Sequence, residues 1–162
     1  MDAFIDWIVS TPLSYFVTEH GAVWPILESI HFCGLTLLAG TVGLFDLRLL
    51  GIAKGIAPSS LHATLRWGIG GFAASVVTGV MFISGTPDQY FYNDAFLLKV
   101  VFLVLMGTNA GLFYWREWAA VRALGPYDDA PNSAKIVATA SLLFLIAVTL
   151  CGRMITFFRP PY

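Results

Sequence analysis

Four long apolar segments constrain this chain of 162 residues more than any other feature of its sequence. They lie near residues 24–47, 66–85, 95–115 and 134–157, and each is long enough to supply the roughly 20 helical residues that cross a hydrocarbon core. Charged residues make up only 12% of the chain, about half of what an ordinary soluble domain carries. We therefore predict an all-α membrane protein, a four-helix transmembrane bundle formed by one domain over residues 1–162.

The first 20 residues differ from the apolar segments. Phe4, Trp7 and Ile8 recur at helical spacing among polar and acidic residues. This pattern is typical of an amphipathic helix that lies in the plane of the membrane interface. We predict one short interfacial helix within residues 1–20.

Basic residues concentrate on one side of the predicted membrane. The connections between the first and second helices and between the third and fourth contain Arg48, Lys54, Arg66, Arg116, Arg122 and Lys135. The loops on the opposite side contain Arg159 and several acidic residues. Because cytoplasmic loops are enriched in Lys and Arg, we predict a protein of the bacterial inner membrane with both termini in the periplasm.

Small residues indicate where helices approach one another, because lipid provides no hydrophobic drive for helix association. Gly107-x-x-x-Gly111 is a strict glycine pair, and Thr36-x-x-x-Gly40 and Ser75-x-x-x-Gly79 fit a looser pattern. Glycine faces also suit self-association, so we expect a homo-oligomer or a subunit of a membrane complex. The net charge of −1 argues against a nucleic-acid partner.

An ionisable pair lies within the first apolar segment. Glu28 and His31 are three residues apart and therefore share one face of the predicted helix. Ionisable residues are costly to bury in a membrane and require partners. An antiparallel arrangement of the helices places Lys99 and Arg153 at a similar depth, and we expect these two cations to be the charge partners of the pair.

This outer polar layer has two interpretations. In the first, the ionisable residues pair only with one another and fix the register of the helices. In the second, they line a pocket, open to the outer face, that holds a haem, a metal ion, a quinone head group or a small anion. The candidate cofactor-binding residues are then His31, Glu28, Arg153, Lys99, Met81 and Met154, with His31 as the ligand of a haem iron.

Haem b binding at this depth cannot use the two histidines of neighbouring helices. His31 lies about 15 residues from the inner end of its helix, or roughly 22 Å at about 1.5 Å per residue, whereas His62 lies at the inner end of the next helix. A second iron ligand would therefore be Met81, Met154 or His20, would come from a second subunit, or would be absent.

A second polar layer is predicted near the inner ends of the helices. It comprises Asp46, Arg48, His62, Arg66 and Asn109. Asp46 and Arg48 are typical of a membrane-boundary anchor that contains a local ion pair. Asn109 lies in the middle of a helix, where an amide is expected to hydrogen-bond to a neighbouring helix.

Three motifs in the chain point to a known type of protein. They read WPxxExxHxxG over 24–34, DLRLLG over 46–51 and GR at 152–153. They resemble an uncharacterised bacterial family of four-helix integral membrane proteins, and the resemblance covers nearly the whole chain. The layout is also loosely similar to that of cytochrome b-like and copper-resistance (CopD-like) membrane proteins. The resemblance implies the fold and the membrane location.

The sequence leaves three functions open. The leading hypothesis is a small redox or electron-transfer subunit that binds haem b or quinone, with Arg153 and Lys99 beside haem propionates or a quinol anion. The alternatives are a small-anion or proton-coupled transporter or sensor, in which Glu28 and His31 relay protons, and a structural or assembly subunit. No arrangement typical of a hydrolase is present, so we do not expect enzyme activity from this chain on its own.

Overall fold

All regular secondary structure is helical within residues 2–158, the part of the chain that the computed structural model describes. The helices are α1 (Asp2–Val9), α2 (Pro12–Glu19), α3 (Val23–Leu49), α4 (Pro58–His62), α5 (Leu65–Gly85), α6 (Asp88–Phe91), α7 (Asp94–Leu112), α8 (Trp118–Val121) and α9 (Asn132–Met154). A π-helical turn, Phe113–Glu117, joins α7 to α8.

Four helical stretches are long and apolar enough to cross a membrane, which confirms the predicted number. They are Val23–Leu49, Pro58–Gly85, Asp94–Val121 and Asn132–Met154. The third stretch continues past the predicted end at residue 115 because the π-helical turn carries it into α8. These four spans indicate a membrane protein.

The fourth span ends at Met154 rather than near residue 157. Beyond Met154 the chain forms turns, and the side-chain amide of Asn93 donates hydrogen bonds to the carbonyl oxygens of Ile155 and Phe158. These bonds supply donors to two carbonyls of the turn that follows α9.

The first 20 residues form two short helices, so the prediction of one helix there is wrong. The break falls at Thr11, whose hydroxyl accepts a hydrogen bond from the backbone N–H of Ser14. Thr11 therefore caps α2, and Pro12 occupies the first helical position, where its missing N–H costs nothing. Val17 of α2 is buried against Gly85 at the end of α5.

The spans pack as two pairs. α3 packs along α5, α7 packs along α9, and contacts between α3 and α9 join the pairs. α3 and α5 approach most closely at Gly34 and Gly71, where a Cβ on either residue would lie 2.5 Å from the carbonyl oxygen of the other. Only glycine permits this separation, since real Cβ atoms do not come so close to backbone.

The predicted glycine pair of the third span, Gly107 and Gly111, does not bring that span into close contact with another helix among residues 2–158. Gly107 and Gly111 are exposed, and a Cβ on either would meet no atom within 4 Å among residues 2–158. The glycines that bring helices together are instead those of α3 and α5. Whether Gly107 and Gly111 contact another subunit stays a prediction.

Two clusters of buried apolar side chains lie at opposite ends of the spans. One cluster belongs to both helix pairs and comprises Phe45, Leu49, Leu61, Phe113, Val121, Ala130, Ala134 and Ala138. The buried residues of the other, Val17, Leu27 and Phe82, belong to α2, α3 and α5, and Tyr90 of α6 packs against them. We call the first location the Arg48 end and the second the His31 end, after the polar residue nearest to each cluster. Within residues 2–158, fully buried apolar residues of both pairs therefore join in one cluster at the Arg48 end.

Candidate functional site

His31 lies on the face of α3 that meets α5. Its Nδ1 is 2.8 Å from the hydroxyl oxygen of Thr78, which is buried. The same hydroxyl is 2.8 Å from the carbonyl oxygen of Ala74, one helical turn earlier, and donates to it. Since the hydroxyl has a single proton, we infer that its oxygen accepts the N–H of Nδ1. In the neutral form of the imidazole, the lone pair then lies on Nε2.

A second residue of α5 holds the backbone at the same position. The hydroxyl of Ser75 donates to the carbonyl oxygen of His31 at 3.3 Å. The ring edge of Phe82 completes the surroundings, with its centroid 5.7 Å from that of the imidazole. α5 therefore fixes both the backbone and the ring of His31, while no hydrogen bond occupies Nε2 among residues 2–158.

Glu28 lies one turn before His31 and is exposed. Its Oε1 accepts a hydrogen bond from the indole Nε1 of Trp24 at 3.3 Å. It also lies close to Tyr90 of α6, since burial of that phenol and the negative charge of Glu28 raise the pKa of Tyr90 to about 12. Glu28 thus stands at the edge of the His31 end, with access to solvent.

Lys99 belongs to the other helix pair. Its half-buried side chain lies across Gly152 of α9, where a Cβ would come within 3.4 Å of Nζ. The glycine leaves the room that the lysine side chain occupies between α7 and α9. Lys99 is also close enough to exert an electrostatic effect on His31. The structure therefore brings these two predicted site residues to one level on opposite helix pairs.

The remaining predicted site residues point elsewhere. The guanidinium of Arg153 lies 5.4 Å from the ring centroid of Phe157, in an exposed position. Met154 is exposed, whereas Met81 packs against the apolar cluster of the His31 end. None of these three side chains has a described contact with His31 or Lys99.

The expected ion pairs of the outer layer are not formed. Within residues 2–158, carboxylate and basic groups approach within 4.0 Å only at Lys54–Asp129 and Lys135–Asp129. Glu28 is turned toward Trp24, and Lys99 lies in the groove between α7 and α9. The prediction that Lys99 and Arg153 neutralise Glu28 by direct contact is therefore wrong.

The described cavities lie away from His31. One, of about 590 Å³, is lined by α1 and by Asp88. The other, of about 500 Å³, follows the outward face of α3 from Phe32 to Thr41. Neither is lined by His31 or Lys99.

The histidines do not converge on one metal site. His62 lies at the Arg48 end, with Nε2 3.1 Å from the hydroxyl oxygen of Tyr114 and its ring stacked on Trp118. His20 is exposed and contacts the carbonyl oxygen of Phe16. In the described part of the chain, no three His, Cys, Asp or Glu side chains cluster closely enough to hold a metal ion.

Arg48 is fully buried and does not form the predicted ion pair with Asp46. Its Nε donates to the carbonyl oxygen of Ile56. Its Nη2 donates to those of Gly125 and Asp128 at 3.1 and 3.2 Å. Arg48 thus holds together the two loops that cover this end, and the predicted ion pair between Arg48 and Asp46 is wrong.

Two other residues of the predicted inner layer have separate environments. The amide of Asn109 donates to the carbonyl oxygen of Val137 on α9 at 3.0 Å, which confirms the expected bond between helices. Arg66 is exposed, and its guanidinium lies 5.6 Å from the ring centroid of Trp67. Arg66 therefore takes no part in a shared polar site with Asn109.

The sequence analysis missed the role of Asn93. This fully buried residue accepts hydrogen bonds from the backbone N–H groups of Ala95 and Phe96 and so caps α7. Its amide also holds the two carbonyls at the end of α9. An asparagine immediately before an apolar run is a recognised capping signal, so the first half of this role was open to prediction.

The sequence analysis also missed Glu117. This buried carboxylate ends the π-helical turn and accepts a hydrogen bond from the hydroxyl of Ser133 at 2.7 Å. π-Helical turns are rare and frequently occur at functional positions. Nothing in the local sequence distinguishes such a turn from continued α-helix.

Comparison with known proteins gives a family and no function. No curated protein matches the chain, and no solved structure matches it. A profile of a family of unknown function, DUF6644, matches residues 4–158. The match covers nearly all of the described residues and agrees with the resemblance noted from the motifs. The chain therefore belongs to the family of unknown function DUF6644.

Proposed function

We propose that this protein is a membrane subunit of a redox system that binds the head group of a quinone between its two helix pairs at the His31 end. The observation that carries the proposal is the pairing of two uncommitted polar groups at one level. These are the Nε2 of His31 on one pair and the ammonium of Lys99, without a carboxylate partner among residues 2–158, on the other.

The two groups match the two oxygens of a quinone or quinol. The lone pair of Nε2 accepts a hydrogen bond from a quinol hydroxyl, and the ammonium of Lys99 donates to the second oxygen. Donation from a charged group strengthens that bond and stabilises a developing quinol anion. The aromatic rings of Phe82 and Trp24, 5.0 Å apart, provide an apolar neighbourhood for the head group.

Entry of the head group requires the pairs to separate locally. At the His31 end, α3 and α5 form their own buried cluster with α2, so separation from α7 and α9 exposes no shared cluster. Electrons then pass to or from a partner subunit. The distribution of Lys and Arg supports a location in the bacterial inner membrane with this end on the periplasmic side.

Haem b fits these residues less well. A histidine whose Nδ1 is oriented by a neighbouring acceptor is suited to bind a metal through Nε2. A six-coordinate haem, however, needs a second axial ligand, and neither methionine near this level has a described contact with His31. Met81 packs in the apolar cluster and Met154 is exposed. We therefore assign no step to haem.

The test is equilibrium binding of a short-chain ubiquinone analogue to the purified protein in nanodiscs. We expect His31→Asn and Lys99→Met each to weaken binding about tenfold or more. One hydrogen bond to a charged group contributes roughly 1.5–3 kcal/mol to the free energy of binding, and tenfold in affinity corresponds to about 1.4 kcal/mol. His62→Asn, a histidine change at the Arg48 end, is the matched control and should leave binding unchanged.

Two alternative outcomes would replace the proposal. If the analogue does not bind but inorganic phosphate raises the melting temperature in a manner that depends on Lys99 and not on His31, the site binds a small anion. If added haemin instead gives a Soret band that His31→Asn abolishes, the site binds haem. An equal loss of quinone binding in His62→Asn would refute the assignment to the His31 end.

Thr78 provides a further check on the chemistry of His31. Thr78→Val removes the acceptor of the Nδ1 proton, so we expect the proton to move to Nε2 and quinol binding to fall, whereas Thr78→Ser retains both. The ¹⁵N chemical shifts of labelled histidine report the tautomer directly. An unchanged tautomer in Thr78→Val would contradict the inferred hydrogen bond, irrespective of what the site binds.

A further inference from the structure

Asp46 is the most deeply buried carboxylate in the described part of the chain. Asp46 is 5% exposed to solvent, and among residues 2–158 its Oδ2 has no hydrogen-bond partner. It lies on α3 at the Arg48 end, where α3 contacts α9 and the two helix pairs meet. The proposed quinone site does not involve this residue, which is about 15 residues, or roughly 22 Å, from His31 along the same helix.

Within residues 2–158, this carboxylate forms no ion pair. Arg48, two residues further along α3, directs its guanidinium to the carbonyl oxygens of the covering loops, and no ion pair to Asp46 is formed. From α9 the polar side chain that faces Asp46 is Ser141, which is uncharged. Among residues 2–158, no basic side chain of the elements packed around Asp46 comes within 4.0 Å of its carboxylate.

The neutral and ionised forms of a carboxyl group differ strongly in the free-energy cost of burial away from water and cations. An ionised carboxylate that is removed from water without a cation or enough donors is strongly unfavourable. The neutral acid avoids that cost and supplies an O–H donor, which a hydroxyl oxygen such as that of Ser141 can accept. The absence of a partner for Oδ2 among residues 2–158 is therefore better explained by a protonated carboxyl group than by an ionised carboxylate.

We propose that Asp46 is a proton-binding site of the folded protein, separate from the quinone site, with its carboxyl group protonated at neutral pH. The site sits where the two helix pairs share their buried cluster. Loss of the proton places a negative charge in that junction and weakens it. Proton binding at the Arg48 end thus controls how firmly the two helix pairs are joined.

The experiment is infrared spectroscopy of the full-length protein in nanodiscs in sodium-free buffer at neutral pH. We expect a carboxylic-acid C=O band that shifts in D₂O and is lost in Asp46→Asn. Glu117→Gln is the matched control, because Glu117 is the other buried carboxylate and accepts a bond from Ser133. The Asp46 band should survive in that variant.

Three results would overturn the proposal. The first is a band that is equally strong in Asp46→Asn, and the second is the absence of any such band. The third is a band that disappears when sodium is added, which would assign the site to a metal cation instead. None of these results depends on whether quinone binds at His31, so the two proposals fail separately.

A second variant keeps the test decisive if Asp46→Asn does not fold. Ser141→Ala leaves the carboxyl group in place and removes the facing hydroxyl, so the band should shift in frequency without loss of intensity.

Melting temperatures supply an independent readout. Because the unfolded chain releases this proton near the ordinary aspartate value of about 3.9, wild-type protein should lose thermal stability as the pH rises above that value until the folded-state carboxyl group is also ionised, and Asp46→Asn should lose less. Identical pH dependence in the two proteins, together with an unshifted band in Ser141→Ala, would refute the proposal.

Discussion

The two ends of this molecule use their polar residues in opposite ways. At the Arg48 end, a buried arginine bonds to three loop carbonyls, and the cluster of apolar side chains beneath it belongs to both helix pairs. At the His31 end, the apolar cluster belongs to one pair. There Nε2 of His31 and the ammonium of Lys99 remain without partners in the described part of the chain.

This difference separates positions that hold the fold from positions that are free to bind. Buried polar groups are normally hydrogen-bonded, and Nε and Nη2 of Arg48 bond to backbone carbonyls, while its Nη1 has no partner among residues 2–158. Partly exposed polar groups can remain uncommitted at lower cost, as Nε2 of His31 and the ammonium of Lys99 do. The comparison predicts that changes at the Arg48 end mainly reduce stability and that changes at the His31 end mainly affect binding.

The largest expected effect is that of Arg48→Met. The substitution keeps much of the side-chain length but leaves the carbonyls of Ile56, Gly125 and Asp128 without their donor. We expect the free energy of unfolding to fall by roughly 3 kcal/mol or more, since each hydrogen bond to a charged group contributes roughly 1.5–3 kcal/mol. Thermal unfolding in detergent measures the change.

Arg66→Met is the control for that prediction. It removes the same charge from an exposed position near the same end, and its effect should lie within about 0.5 kcal/mol of zero. Equal destabilisation by the two variants would mean that net charge, and not the bonding of the loops by Arg48, stabilises this end.

The next largest effect concerns Gly34, where α3 and α5 meet at the His31 end. Gly34→Ala places a Cβ 2.5 Å from the carbonyl oxygen of Gly71 and 2.6 Å from the hydroxyl oxygen of Ser75. The helices must move apart, and overpacking of this kind costs about 1–3 kcal/mol. We expect a lower melting temperature and a weaker bond from Ser75 to His31.

Gly40→Ala is the matched control, because Gly40 lies on the same helix and a Cβ there meets no described atom within 4 Å. It should be neutral or slightly stabilising, since alanine favours a helix by up to about 1 kcal/mol over glycine. If Gly34→Ala behaves like Gly40→Ala, the close contact between α3 and α5 is not what holds the His31 end.

The sequence predicted those features that depend on local pattern. The four spans follow from apolar length, and the bond from Asn109 to α9 follows from the cost of an amide in the middle of a membrane helix. Depth along a helix also separated His31 from His62 correctly. These inferences need only the rise per residue and the polarity of each side chain.

The sequence could not predict features that depend on long-range placement. Arg48 bonds to carbonyls 77 and 80 residues further along the chain, and no local pattern indicates where those loops fold. Depth alone placed Lys99 beside Glu28, but the direction of its side chain is set by the room that Gly152 leaves. Similar depth therefore did not mean contact.

The smallest expected effect is that of the surface ion pair at the Arg48 end. Asp129 lies 2.7 Å from Nζ of Lys54, and the hydrogen bond and charge of Lys54, with the charge of Lys135, lower the pKa of Asp129. A lowered pKa in the folded state gives stability that is present above the ordinary aspartate value of about 3.9. That stability is lost as the pH falls through the lower value of the folded state. Asp129→Asn should therefore lower the melting temperature slightly at neutral pH and not at all in strong acid.

The effect should be far smaller than that of Arg48→Met, because exposed ion pairs are screened by solvent and salt. High salt should reduce the difference between wild type and Asp129→Asn in the same way as acid. Asp6→Asn, an exposed acid at the His31 end, controls for the loss of one negative charge and should show no comparable pH dependence. If the difference in melting temperature between wild type and Asp129→Asn persists in both acid and high salt, the Asp129 side chain positions the loop through packing and not through its charge. In that case the loops at this end would not depend on Arg48 alone.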